Sequence, residues 1–60
     1  MKEEDVQFLF NAIVCINSVD KRKEWRVKEE NVSRLIELTD TYGGEVVDAK
    51  IQQIKEVLNG

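Results

Sequence analysis

The chain has 60 residues, with 12 acidic and nine basic side chains and a net charge of −3 at pH 7. A domain of this length buries only about 60% of the surface of its extended chain, so it is marginal as a monomer. Cys15 is the single cysteine and there is no histidine, which excludes an intrachain disulfide and argues against a structural metal ion. We therefore expect one small domain over residues 1–60, stabilised by self-association or by a partner.

The charges are unevenly distributed. Residues 20–28 carry a net charge of +3, from five basic and two acidic side chains, which leaves −6 for the rest of the chain. The acidic balance argues against a general attraction to nucleic acid or anionic lipid. The sequence begins MKEED, acidic where a signal peptide is basic, and its apolar run FLFNAIVCI is too short to span a bilayer. We expect a cytoplasmic protein without a membrane partner.

The apolar segment from Val6 to Ile16 predicts a first helix over about residues 4–19. Short apolar runs can also be buried strands, but Asn11 interrupts this one. A helix that is apolar around most of its circumference is normally covered on more than one side. It is therefore either the central helix of a monomer or the interface of a two-fold homodimer, and we predict the homodimer. The predicted interface residues are Phe8, Ala12, Val14, Cys15 and Val19.

Two further helices are predicted, over about residues 28–42 and 45–58. Glu29 and Glu30 suit the positive end of a helix dipole, and Gly43 with Gly44 provides a helix stop. The expected fold is an all-α bundle of two to three helices. The sequence leaves open whether residues 20–28 form a helix or a loop.

The basic segment DKRKEWRVK, residues 20–28, has three interpretations. If it is helical, Arg22, Trp25 and Arg26 share a face, and these residue types are enriched at interface hot spots, so we predict that they bind a protein partner. A nucleic-acid interface is the alternative, because clustered cations neutralise phosphates and an aromatic ring stacks on bases. Its candidate residues are Lys21, Arg22, Lys23, Arg26 and Lys28.

The third interpretation of this segment is purely structural. Trp25 and Val27 would pack onto the core while the charged side chains extend into water. Two pairs with Glu four residues before a basic residue, Glu24–Lys28 and Glu30–Arg34, have the favourable order for ion pairs along a helix.

Enzymatic activity is not expected. The chain has no histidine to act as a base near neutral pH, and Cys15 lies in an apolar run that disfavours the thiolate. The stretch DTYGGEVVD lacks the ligand spacing of a calcium loop and the Lys-Ser/Thr of a P-loop, so we predict no cofactor. By elimination, the sequence predicts a small regulatory, inhibitory or adaptor protein that acts through protein–protein contacts.

Overall fold

The computed structural model describes residues 1–59 and contains four α-helices. They are α1 (Glu3–Asn17), α2 (Val19–Val27), α3 (Glu29–Tyr42) and α4 (Gly44–Asn59). No strand occurs in this part of the chain. The all-α prediction is confirmed, but the predicted count of two to three helices is too low, because most of residues 20–28 forms a helix of its own.

The first helix ends at Asn17 and does not continue to residue 19. Ser18 has an extended backbone (φ −92°, ψ 124°), and its amide donates to the carbonyl oxygen of Cys15 at 3.1 Å. The Arg22 side chain donates through Nε to the carbonyl oxygen of Ile16 at 2.9 Å. A carbonyl near the end of α1 thus finds a side-chain donor, as helix ends require, while a single extended residue redirects the chain.

The second break, between α2 and α3, is built in the same way. Lys28 is extended (φ −78°, ψ 109°), and Asn31 Nδ2 donates to the carbonyl oxygen of Trp25 at 3.2 Å. Because α2 stops at Val27, the continuous helix required for the predicted Glu24–Lys28 pair does not exist. Neither that pair nor Glu30–Arg34 forms within residues 1–59, where the ion pair present joins Arg34 to Asp5.

The four helices form a ring in which each packs against its neighbours in chain order and α4 closes on α1. The molecule is flat, with extents of 31 × 29 × 18 Å. Its core is a cluster from three of the helices: Leu9 and Ile13 of α1, Leu38 of α3, and Val47 and Ile54 of α4. No residue of α2 is buried, so this helix depends on half-buried contacts.

Gly43 makes the corner between α3 and α4. Its φ of +91° and ψ of 146° lie in a region that residues with a Cβ rarely adopt, and its amide donates to the carbonyl oxygen of Thr39 at 2.9 Å. Gly44 is already the first residue of α4. Of the two adjacent glycines, therefore, only Gly43 has a positive φ, whereas Gly44 is helical.

We expect Gly43→Ala to lower the free energy of unfolding by about 1–3 kcal/mol, because a Cβ strains this backbone conformation. A Cβ at either glycine would meet no atom within 4 Å, so crowding does not contribute. Gly44→Ala is the matched control, and it should stabilise the protein by roughly 0.5 kcal/mol through a less flexible unfolded chain. Urea denaturation measures both, and equal effects of the two substitutions would contradict the assignment.

Candidate protein-binding surfaces

Trp25 is turned toward the body of the protein. It is half-buried, and its ring lies against Phe8 of α1 with centroids 6.2 Å apart and a 40° angle between the ring planes. It also lines an apolar cavity of about 160 Å³ together with Leu9, Ile13 and Leu35, among others. Trp25 therefore attaches α2 to the other helices.

The predicted hot-spot residues do not form one exposed surface. Arg22 donates to the Ile16 carbonyl oxygen, and Trp25 packs on Phe8. Arg26 is exposed and has no hydrogen bond or ion pair within residues 1–59. Of the three, only Arg26 is fully available to a partner. Val27 also departs from its predicted packing role, since 79% of its surface is exposed.

The outward side of α2 carries a different set of residues from the one predicted. Val19, Lys23, Arg26 and Val27 recur at the spacing of one helix face and are all exposed. Val19, at 82%, and Val27, at 79%, are the two most exposed large apolar residues of the described chain. We call these four residues the outer face of α2; it combines two apolar side chains with two cations.

Two other cations of the segment, Lys21 of α2 and Lys28 just after its end, lie away from the outer face. Lys21 and Lys28 line a shallow depression with Glu24 and Trp25. Four of the five residues of the predicted nucleic-acid site are thus divided between the outer face and this depression, and the fifth, Arg22, is bonded to the Ile16 carbonyl oxygen. Glu24 lies among the cations, and the indole ring packs on Phe8, which reduces its surface for stacking on a base.

The residues predicted for a dimer interface are also dispersed. Ala12 is 4% exposed and belongs to the interior of the monomer, while Phe8 is half-buried between Trp25 and Arg34, whose guanidinium carbon lies 4.7 Å from the Phe8 ring centroid. Cys15 is half-buried beside α2. Val14 and Val19 remain exposed, but Val19 lies on α2.

A second apolar surface lies along α1 and α4, and Val14 is the one of its residues that the sequence analysis selected for an interface. Val6 and Phe10 of α1 line a shallow groove of about 210 Å³ with Val57 of α4. Val14, one helical turn beyond Phe10, is 42% exposed, and Val57 is 74% exposed. Phe10, Val14 and Val57 are called here the α1/α4 face. Helical periodicity placed Phe10 on an apolar stripe of α1, but it could not show whether that stripe would be buried in the core or exposed at the surface.

A polar cluster, also missed from the sequence, holds the start of α1 against α3. Tyr42 donates its hydroxyl proton to Asp5 Oδ2 at 2.8 Å and accepts a bond from the Lys2 amide at 3.3 Å. Arg34 lies 3.5 Å from Asp5 Oδ1 and donates to the Glu4 carbonyl oxygen at 3.4 Å. These residues are far apart in the chain, so no local pattern could indicate the cluster.

Residues 1–59 contain no group of three or more Cys, Asp and Glu side chains placed to hold a metal ion. None of the helices in this range has the length and apolar character needed to cross a membrane. Comparison of the chain with protein-family models, with curated proteins and with solved structures finds no match. The functional assignment therefore depends on the two exposed surfaces themselves.

We expect Trp25→Ala to lower the free energy of unfolding by about 2 kcal/mol, because it removes the main apolar contact of α2. For a domain of this size the melting temperature should fall by roughly 10 °C. Amide hydrogen exchange in α2 should accelerate more than exchange in the other helices. Trp25→Phe should recover part of the loss, and Val27→Ala, on the outer face, is the control. An unchanged melting temperature for Trp25→Ala would contradict the anchoring role.

Proposed function

We propose that this protein is a small non-enzymatic regulator or adaptor that binds another protein through the outer face of α2. The observation that carries the proposal is the combination of Val19 and Val27, both strongly exposed, with Lys23 and Arg26 between them on one short helix. Apolar contact contributes affinity and cations select the orientation and identity of the partner. The expected partner surface is apolar with carboxylates around it.

Several features favour a protein partner over nucleic acid. The chain as a whole is acidic, with a net charge of −3, and would be repelled by a polyanion at long range. Exposed valines contribute little to phosphate binding, whereas they suit the apolar centre of a protein interface. The nucleic-acid alternative uses the same Lys23 and Arg26, so one set of variants tests both functions.

The proposed assembly is a homodimer in the cytoplasm. The cytoplasm is proposed because Cys15 is a free thiol, which a reducing compartment preserves. The homodimer is proposed because much apolar surface remains exposed on α1 and α4. Self-association through that surface does not require the outer face of α2, so partner binding and dimerisation can be tested separately.

The test of function is affinity capture from the native cell, with and without nuclease, using wild type and a Lys23→Glu/Arg26→Glu variant. We expect a specific protein to be captured after nuclease treatment and to be lost with the variant. Lys2→Glu/Lys55→Glu, with the same change of net charge on other surfaces, is the matched control and should retain the partner.

Direct binding with the captured partner, purified, completes the test. Val27→Asp should weaken binding by at least tenfold without changing the melting temperature, because Val27 is exposed in the free protein. Loss of all capture on nuclease treatment, together with nucleic-acid binding that falls steeply as salt rises, would establish the alternative function. If none of these variants changes the affinity for the partner, the outer face of α2 is excluded as the binding site.

A further inference from the structure

An apolar cavity lies where all four helices meet. Ala12 of α1, Trp25 of α2, Leu35 of α3 and Ile51 of α4 are among the residues that line it. Its volume is about 160 Å³, close to the volume of about 150 Å³ at which an engineered apolar cavity binds benzene. Because protein cores contain few voids larger than a water molecule, this is a large void for a chain of 60 residues.

The cavity is apolar inside and polar at its mouth. Leu9 and Ile13 are almost fully buried where they line it. Asn17 and Lys55 also line the cavity but are exposed, so it opens to solvent beside them. Aliphatic side chains offer water no hydrogen-bond partner, and an apolar cavity of this kind stays dry. The interior therefore favours an apolar group of about the size of benzene.

Two cations lie at the mouth of this cavity. The Lys55 amino group makes no hydrogen bond or ion pair within residues 1–59, and no acidic residue stands three or four positions from it on α4. The Arg22 side chain reaches the same mouth, because its Nε donates to the carbonyl oxygen of Ile16, another lining residue, at 2.9 Å. That bond also offsets the partial negative charge at the end of α1. The mouth therefore favours a carboxylate, which forms strong hydrogen bonds with cations.

We propose that this cavity binds a small monocarboxylate whose apolar part is a single aromatic ring, a class of which 3-phenylpropionate is an example. The aromatic ring occupies the space between the four helices. The carboxylate lies at the mouth against Lys55, with the Arg22 guanidinium and the Asn17 amide beside it. This site is on the inner side of α2, where Trp25 lines the cavity, so it is separate from the outer face of α2 and does not rest on the proposed protein partner.

Binding in this cavity also stabilises α2 against local opening. No residue of α2 is buried, and Trp25 is its contact with the cavity. A bound aromatic ring gives the indole a further apolar contact, and a ligand that binds only the closed form lowers the population of the open form. We therefore expect the ligand to slow amide hydrogen exchange in α2 more than in α3.

Titration of the full chain with 3-phenylpropionate at low salt, followed by NMR, tests the inference. We expect saturable binding with a dissociation constant below about 1 mM, as suits a ligand of this size. The signals that shift should be the Trp25 indole N–H and the methyl groups of Leu9, Ile13, Leu35 and Ile51. Toluene, which keeps the aromatic ring, should shift the same signals. Acetate, which keeps only the carboxylate, should give no saturable shift.

Variants that fill the cavity test its position. Ala12→Leu enlarges a side chain that lines it, so it should weaken the binding of both aromatic probes at least about tenfold while the melting temperature is kept or raised, because apolar contact replaces a void. Ile51→Phe fills the cavity from another helix, and circular dichroism verifies that each variant is folded. Ala49→Leu, the same enlargement at an exposed position of α4, is the matched control and should leave the affinity unchanged.

A charge-removing variant tests the carboxylate. Lys55→Gln should weaken the binding of 3-phenylpropionate roughly threefold to fivefold, as expected for an exposed ion pair, and should leave the binding of toluene unchanged. Lys50→Gln is the matched control on the same helix, because Lys50 bonds to Gln53 and lines the groove beside Phe10 instead of the cavity.

The possible results separate the site from the class of its ligand. A chain that binds neither aromatic probe, or whose cavity signals shift only with its own concentration, has no ligand site here. Binding that shifts other signals, or that both folded filling variants leave unchanged, lies elsewhere and refutes the cavity. Binding that Lys55→Gln does not weaken retains the apolar site but refutes the carboxylate. If neither filling variant folds, the signals that the probes shift in the wild type decide the position.

Discussion

The contact among Leu9, Ile13, Leu38, Val47 and Ile54 is the interaction on which the fold depends, and it is small. It connects α1, α3 and α4 but includes nothing from α2. Four short helices in a ring cannot enclose all of their apolar residues, so a flat molecule results, 18 Å in its shortest dimension. Both candidate binding surfaces are consequences of this limit, because the apolar residues that the core does not cover remain at the surface.

A chain of half-buried contacts compensates for the absence of α2 from the core. Trp25 of α2 packs on Phe8 of α1, and Arg34 of α3 lies over the same Phe8 ring, so one aromatic side chain joins three helices. Arg34 also pairs with Asp5, which connects this stack to the start of α1. The stack commits the inner side of α2 to the fold and leaves the outer face exposed, where we propose that a partner binds.

Much of the secondary structure was predictable because it follows from local rules. Helical periodicity identified α1, α3 and α4, and Gly43 marked the corner between the last two. The short helix α2 was not assigned, because nothing in DKRKEWRVK favours a helix by apolar period. Its ends depend on hydrogen bonds from Arg22 and Asn31 to carbonyl groups of the preceding helix, and these bonds form only when the helices meet.

The sequence by itself determined an all-α protein with a local excess of positive charge on an acidic chain. Composition and helical periodicity can be read from the residues alone, because neither depends on contacts between helices. The tertiary structure decided which apolar side chains became core and which became surface. Ala12 and Phe10 are both apolar positions of α1, yet Ala12 is buried and Phe10 is exposed. The physical reason is the position of α4 and α2 around α1: a helix face is buried only where a neighbour covers it, and the covering neighbours come from distant parts of the chain.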